Sequence, residues 1–82
     1  MAAHQVQTPL PGVFYRRPAP DQPEYAAPGD TVTADQTIGL VEVMKQFAEI
    51  KAGVDGTVTS FEVENEGVIG PGDVVAVIET GA

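Results

Sequence analysis

Short runs of β-branched and aromatic residues, separated by glycine and proline, form the dominant pattern of this chain. The clearest runs are GVFYR (12–16), TIGLVEV (37–43), GTVTSFEVE (56–64) and DVVAVIE (73–79). Apolar runs of this length, bounded by turn residues, predict strands rather than helices. The chain has 9 glycines and 7 prolines to supply the turns,. The pattern therefore predicts an all-β domain.

One window is also partly compatible with a helix. In VEVMKQFAEIKAG (41–53), the apolar positions follow a spacing near 3.6 residues over part of their length,. The β-branched flanks, together with Gly39 and Gly53 at the boundaries, favour two strands that meet at a turn. Lys45 is then predicted to project from the tip of a hairpin, while the apolar residues around it pack inward.

The chain contains a degenerate internal repeat. VTADQTIGLVE (32–42) matches IGPGDVVAVIE (69–79) at an offset of 37, and GVF (12–14) matches GTV (56–58) at an offset of 44. Two similar halves predict a domain with pseudo-two-fold symmetry. Chance similarity between two stretches rich in glycine and valine is the alternative explanation.

The change of offset places about seven extra residues in the first half, between Phe14 and Val32. RRPAPDQPEYAAPG (16–29) lies there and holds four of the 7 prolines. Proline cannot donate a hydrogen bond to a strand ladder. We therefore expect this segment to protrude from the sheets as a stiff loop.

Length and charge limit the classes of function. Eighty-two residues form one small domain, and the net charge of −8 disfavours nucleic acid and anionic membrane surfaces,. No apolar run approaches the roughly 20 residues of a membrane-spanning helix. Cysteine is absent, which excludes disulfides and thiolate chemistry and is compatible with a reducing cytoplasm,.

Candidates for catalytic or metal-binding residues are scarce. His4 is the only histidine and Ser60 the only serine, so a catalytic triad would depend on a histidine near the chain start. Residues 1–7 are polar, lack the pattern of a signal peptide, and are predicted to be disordered or loosely ordered. We therefore predict no catalytic residue and no metal site.

Lys45 is the residue whose surroundings need an explanation. A lysine amine is protonated at neutral pH, and a nucleophilic lysine needs burial or a neighbouring cation. Glu42 and Glu49 lie nearby in sequence instead. An exposed Met44 beside the lysine does not help folding, but it suits recognition of the tip by a partner. Lys45 therefore fits a lysine that another enzyme modifies; a solvated surface charge is the alternative, and we keep it for Lys51.

The segment VEVMKQF (41–47) resembles the Glu-Ala-Met-Lys-Met motif of biotin carboxyl carrier domains. The resemblance extends from about Thr8 to Glu79, because TPLPGVFYRRPAPD (8–21) is similar to the opening of the acetyl-CoA carboxylase carrier subunit. It implies a flattened β-barrel or sandwich of two four-stranded antiparallel sheets with quasi-two-fold symmetry. The carrier domain would span residues 8–80, with a protruding thumb at about residues 17–25.

The resemblance assigns roles to individual residues. Lys45 matches the lysine that carries biotin, and Met44 matches the methionine that distinguishes biotin acceptors from lipoyl acceptors. Glu42 matches the acidic residue that the biotin ligase reads. Val43 stands where the family has alanine and Gln46 where it has a second methionine, and both belong to the predicted ligase-recognition segment. The thumb residues are predicted to be Pro18, Ala19, Pro20 and Asp21.

The resemblance implies a non-catalytic carrier subunit of a cytoplasmic, multi-subunit carboxylase. A biotin protein ligase would attach biotin to Lys45, a biotin carboxylase subunit would carboxylate it, and a carboxyltransferase subunit would receive the carboxyl group. The most similar carriers serve acetyl-CoA carboxylase, which makes malonyl-CoA for fatty acid synthesis. Gln46 leaves a different biotin-dependent carboxylase open.

Two other functions remain as alternatives. A lipoyl domain has the same fold with a modified lysine at the same place, although Met44 and the proline-rich insertion disfavour it. An unmodified β-barrel interaction module would keep the fold and carry no group on Lys45.

Overall fold

The computed structural model describes residues 2–81, which form eight β-strands. These are β1 (Ala2–Gln7), β2 (Gly12–Tyr15), β3 (Thr31–Val32), β4 (Thr37–Val43), β5 (Gln46–Lys51), β6 (Gly56–Phe61), β7 (Gly67–Ile69) and β8 (Val74–Thr80). A membrane-spanning helix is absent from residues 2–81.

The strands build two four-stranded antiparallel sheets, which confirms the predicted all-β sandwich. One sheet has the order β1-β8-β6-β3 and the other has the order β5-β4-β2-β7. The two orders are equivalent, because strands that differ by four in number occupy the same place in the two sheets. The lysine-bearing hairpin, β4 and β5, lies at one side of the second sheet, and we call this sheet the lysine sheet.

The pseudo-two-fold symmetry predicted from the repeat is confirmed strand by strand. The offset of 44 relates β1 to β5 and β2 to β6, and the offset of 37 relates β3 to β7 and β4 to β8. The related strands β1 and β5 also share one burial pattern, with a single buried residue at the fifth position. The two halves therefore repeat both the topology and the inward-facing positions.

The predicted strands agree with the structure, with small shifts at their ends. The run 37–43 coincides with β4, the runs starting at 12 and 56 end earlier than predicted, at Tyr15 and Phe61, and β8 is shifted by one residue. The short strands β3 and β7 had no separate prediction. They have only two and three residues, too few to show an alternating pattern,.

Residues 2–7 form β1, whereas the sequence predicted a disordered or loosely ordered segment at 1–7. The strand runs antiparallel to β8, from Ala2 opposite Thr80 to Gln7 opposite Val74. Val6, which is 5% exposed, is its contribution to the core. Backbone hydrogen bonds along β8 order the polar sequence, which has too few apolar side chains to show a strand pattern. Met1 lies outside the described residues.

The core lies between the two sheets and is aliphatic, with one aromatic ring. Phe14 on β2 and Ile38 on β4 are fully buried from the lysine sheet, and Val58 and Ile78 are buried from the other. Full burial of each such side chain contributes about 1.5–3 kcal/mol. Val43, the last residue of β4, packs against this core and so anchors the hairpin next to its turn.

The segment from 16 to 30 connects β2 to β3 without forming a strand. The Tyr25 amide donates to the Arg16 carbonyl at 2.8 Å and closes the base of the loop. Within it, the Gln22 amide donates to the Ala19 carbonyl at 3.0 Å. Pro18, Pro20 and Asp21 are exposed. These contacts fix the loop at its base; a thumb function for it stays a prediction.

Candidate functional site

The turn between β4 and β5 has two residues, Met44 and Lys45. Val43 pairs with Gln46 as the last strand pair before the turn. The φ angles are 50° at Met44 and 70° at Lys45. Positive φ at both central residues is the type I′ conformation, which fits the twist of a two-residue hairpin and normally selects Asn-Gly. The turn therefore holds two large residues in a conformation that costs on the order of 1 kcal/mol or more for each.

Lys45 is exposed at this turn, as predicted from the sequence. Within residues 2–81, the ion pairs join Arg16 and Arg17 to Glu24, and the Lys45 amine takes part in none of them. The side-chain hydrogen bonds of the same residues do not involve Lys45 either. The amine thus projects into solvent at the end of a hairpin whose base is anchored in the core.

Met44 is 91% exposed beside the lysine, which agrees with the expectation of an exposed methionine. The expectation that the apolar residues around Lys45 pack inward holds for Val43 but is wrong for Phe47, which is 61% exposed. The alternation of the strand explains this difference. Ile50 of β5 faces the core, so Phe47, three residues before it, faces outward,.

Glu42 lies on the outer face of β4, and its carboxylate is held by a tyrosine. The Tyr15 hydroxyl donates to Glu42 Oε1 at 3.0 Å. This hydrogen bond is the main reason that the pKa of Tyr15 is raised above its ordinary value of 10.0, with burial and the charges of Glu42 and Glu66 acting in the same direction. Glu42 is thus presented in a fixed position, three residues before Lys45.

Sequence reasoning missed Tyr15 and Phe47 as neighbours of the site. Their ring centroids lie 6.1 Å apart at an interplanar angle of 57°. Tyr15 also hydrogen-bonds to Glu42, and Phe47 is the strand partner of Glu42. The strand alternation of β2 shows that Tyr15 and Phe14 face opposite sides. The register between β2, β4 and β5, which brings Tyr15 to Phe47, is not visible in that pattern.

Gln46 is exposed and begins β5 opposite Val43. Its side chain makes no hydrogen bond among residues 2–81 and lines a shallow depression with Leu10, Met44 and Ala48. The amide that replaces the second methionine of the resembled motif therefore lies at the surface next to the turn. It does not disturb the core.

The loop 16–30 forms one wall of an open depression on the lysine sheet. Pro18, Ala19 and Pro20 face Leu40 and Phe47 across it. At the base of the loop, the Arg16 guanidinium lies 4.1 Å from the centre of the Phe61 ring, and the Arg16 amide donates to Asn65 Oδ1 at 2.8 Å. Of the four predicted thumb residues, Asp21 is the one that does not line the depression. Clusters of acidic and histidine side chains that could bind a metal are absent from residues 2–81.

Comparison with known proteins gives one consistent family. The sequence profile of the family described as biotin-requiring enzyme matches residues 4–78. The biotin carboxyl carrier protein of acetyl-CoA carboxylase from Streptococcus pyogenes is 45% identical over 64 residues, covering 78% of this chain and 39% of that protein. The protein of that name from Chlamydia pneumoniae is 43% identical, covering 73% of this chain and 36% of its own length.

More distant relatives cover more of the chain. The carrier protein of Porphyra purpurea acetyl-CoA carboxylase is 32% identical over 75 residues, covering 92% of this chain and 48% of that protein. The crystal structure of Kluyveromyces lactis urea carboxylase superposes with a TM-score of 0.80 at 28% identity, over 96% of this chain and 6% of that one. The chain thus spans less than half the length of each of these proteins.

Proposed function

The chain belongs to the family of biotin-requiring enzymes, and we propose that it is a biotin carboxyl carrier with its biotin on Lys45. The observation that carries this proposal is the two-residue turn at the end of a core-anchored hairpin, which holds Lys45 exposed and without an ion pair to any of residues 2–81. The relatives at 32–45% identity support acetyl-CoA carboxylase as the enzyme that it serves. The structural likeness to urea carboxylase keeps a carrier for another biotin-dependent carboxylase as the second candidate.

The surroundings of Lys45 fit a covalent amide to biotin. Lys45 would hold biotin through an amide bond between its Nζ and the biotin carboxyl group. If the ligase supplies biotin as its adenylate, AMP would be the leaving group and the Nζ proton would pass to solvent. An amide is neutral, and this suits Lys45, whose amine has no ion-pair partner within residues 2–81 to be lost on modification. The exposed turn leaves room for a group much longer than the lysine itself.

The chain acts as a carrier and supplies no acid, base or metal to the reaction. When bound, biotin supplies the ring nitrogen that carries a carboxyl group from one active site to another. The protein contributes the tether, which makes each transfer a local search at an effective concentration on the order of mM. The hairpin anchored through Val43 keeps the origin of the tether in one place.

Three protein partners follow from this role. A biotin ligase would read the segment around Lys45, namely Glu42, Val43, Met44 and Gln46. A biotin carboxylase subunit would load the carboxyl group, and a carboxyltransferase subunit would accept it. The loop with Pro18, Ala19, Pro20 and Asp21 would serve as the thumb beside the modified lysine. Three of these residues, Pro18, Ala19 and Pro20, line the depression on the lysine sheet.

Intact mass spectrometry after co-expression with a biotin ligase tests the proposal. We expect a mass increment of one biotinyl group on the wild-type chain and on K51R, and none on K45R. Lys51 is the last residue of β5, the strand that follows the turn, so K51R is the matched control. An increment of one lipoyl group would replace the proposal with a lipoyl carrier, and an unmodified wild-type chain would favour the interaction module.

A further inference from the structure

Exposed apolar side chains are concentrated on the lysine sheet and around its turn. Among residues 2–81, the large apolar side chains that are exposed are Leu10, Met44, Phe47 and Val68. Leu10 and Met44 line the depression at the turn, while Phe47 and Val68 lie on the outer face of the lysine sheet. Val68 is 84% exposed and contributes almost nothing to the core. These side chains need an explanation outside folding.

Strand register places Phe47 and Val68 in one line with Glu42, which lies two residues before the turn. Val68 on β7 pairs with Val13 on β2, Val13 pairs with Glu42 on β4, and Glu42 pairs with Phe47 on β5. We call these four residues the apolar row. It crosses all four strands of the lysine sheet on the outer face.

The pseudo-two-fold symmetry provides an internal comparison for this row. On the other sheet, the equivalent positions are Thr31, Thr57, Glu79 and Ala3, and they pair in the same order. The glutamate is kept, but valine, valine and phenylalanine are replaced by threonine, threonine and alanine. The second sheet therefore forms without large apolar side chains at these positions. The apolar row is a property of the lysine sheet alone.

Carboxylates lie within the apolar row and next to it. Glu42 lies within it, Glu49 is the next outward-facing residue of β5, and Glu66 directly precedes β7. None of these three forms an ion pair within residues 2–81. Apolar side chains beside carboxylates that form no ion pair within residues 2–81 are complementary to a partner surface with an apolar patch and a rim of lysine or arginine,.

We propose that the apolar row is the docking surface for the ligase that modifies Lys45, and this rests on the proposed carrier function. A ligase forms a bond at Nζ itself, so its active site must come within one lysine side chain of the turn. The row meets that condition, because the Glu42–Phe47 pair is separated from the turn by only the Val43–Gln46 pair. A partner that acts on the completed arm can dock farther away.

Steady-state biotinylation of V68T and F47T, with a ligase that loads the wild-type chain, tests this assignment. We expect KM for the carrier to rise about 5-fold in V68T and about 10-fold in F47T, with kcat within about twofold of wild type. V77T is the matched control, because Val77 lies on the outer face of the other sheet, opposite Gln5 of β1. We expect KM for V77T to equal that of wild type.

Each result bears on the assignment. Wild-type KM in both V68T and F47T would overturn it, as would normal loading combined with slowed carboxyl transfer, which would assign the row to the carboxylase. Thermal unfolding identifies a variant that is only less stable, and V68T is the decisive one because Val68 is 84% exposed. A wild-type chain that accepts no biotin contradicts the carrier function instead, so the two failures are distinguishable.

Discussion

The hydrogen bond from Tyr15 to Glu42 is the contact that defines the site at the scale of single residues. At 3.0 Å it joins β2 to β4 and fixes the carboxylate of Glu42, three residues before Lys45. It stabilises the neutral phenol, so the pKa of Tyr15 is raised. The stabilisation that this hydrogen bond contributes is therefore fully present below the ordinary tyrosine pKa of 10.0. It is lost as the pH rises through the raised pKa of Tyr15,.

Titration of the tyrosine absorbance tests this contact. In a Y25F background, which isolates Tyr15, we expect the phenol to ionise above its ordinary pKa, and E42Q to lower that pKa because the amide carries no charge. E79Q is the control, since Glu79 occupies the equivalent place on the other sheet. Equal Tyr15 titration curves in the wild-type, E42Q and E79Q versions would contradict the role of Glu42.

The sequence predicted the exposed pair at the tip but not its neighbours. Lys45 and Met44 follow from a strand pattern interrupted midway between Gly39 and Gly53, and a two-residue turn leaves both exposed. Tyr15 and Phe47 depend on the register of three strands, which side-chain alternation alone does not define. The ring contact of these two residues therefore appears only in the structure.

At the scale of the strands, β2 and β4 are fitted to each other by a matched pair of side chains. The fully buried Phe14 ring lies against Gly39, where an added Cβ would come within 2.7 Å of Phe14 Cζ. In the second half, Val58 stands at the position of Phe14 and Ala76 at that of Gly39, and both are buried. The half with the larger residue on one strand, Phe14, thus has the smaller residue on the neighbouring strand, Gly39.

This pairing predicts strong coupling between two substitutions. G39A is expected to lower the free energy of unfolding by about 2–3 kcal/mol through overpacking, and F14V by about 2 kcal/mol through a cavity. F14V/G39A reproduces the pair of the second half, so its loss should fall short of the sum by at least about 1 kcal/mol. Urea denaturation of the four proteins measures the difference, and additive losses would show that the two sites do not compensate.

Strand β1 shows where strand prediction from sequence fails. In AAHQVQ only Val6 is buried, so neither alternation nor strand propensity identifies the segment. The six residues are held by backbone pairing along β8, a contact with residues more than 60 positions away in the chain. Its counterpart β5 has the same burial pattern and was predicted, because Phe47 and Ile50 supply the residues typical of a strand.

At the scale of the whole molecule, the two sheets share one strand topology but differ in the side chains on their outer faces. The repeat read from the sequence predicted this topology, since Val32 and Ile69, or Ile38 and Val75, are buried at equivalent places. The difference between the outer faces lies in exposed residues, which no repeat constrains. The shared topology and the difference between the outer faces thus depend on separate sets of positions.

The symmetric topology also predicts that the backbone can be cyclised. Val43 pairs with Gln46 across the two-residue turn, and by symmetry Thr80 and Ala2 are the equivalent pair on the other sheet. We expect an Asn-Gly link from residue 80 to residue 2 to form a second type I′ turn. Cyclisation should raise the free energy of unfolding by about 3 kcal/mol, by analogy with a disulfide that closes a long loop.

Thermal and urea unfolding of the cyclic and linear forms measure this gain. A cyclic form with a ten-residue glycine-serine link is the control, because it closes the chain without imposing the turn. A cyclic Asn-Gly form less stable than the linear one would show that the Thr80–Ala2 geometry does not accept a two-residue turn.

The pairing of Ala2 with Thr80 therefore gives the domain two equivalent hairpin corners, and Met44 and Lys45 form one of them. A ring with Met-Lys at both corners would carry two acceptor lysines on one body. The first corner would adjoin the apolar row and the second would adjoin Thr57, Glu79 and Ala3. In such a molecule the two lysines would have the same backbone conformation and the same turn. An enzyme that modifies one lysine faster than the other would therefore be responding to the surface beside it.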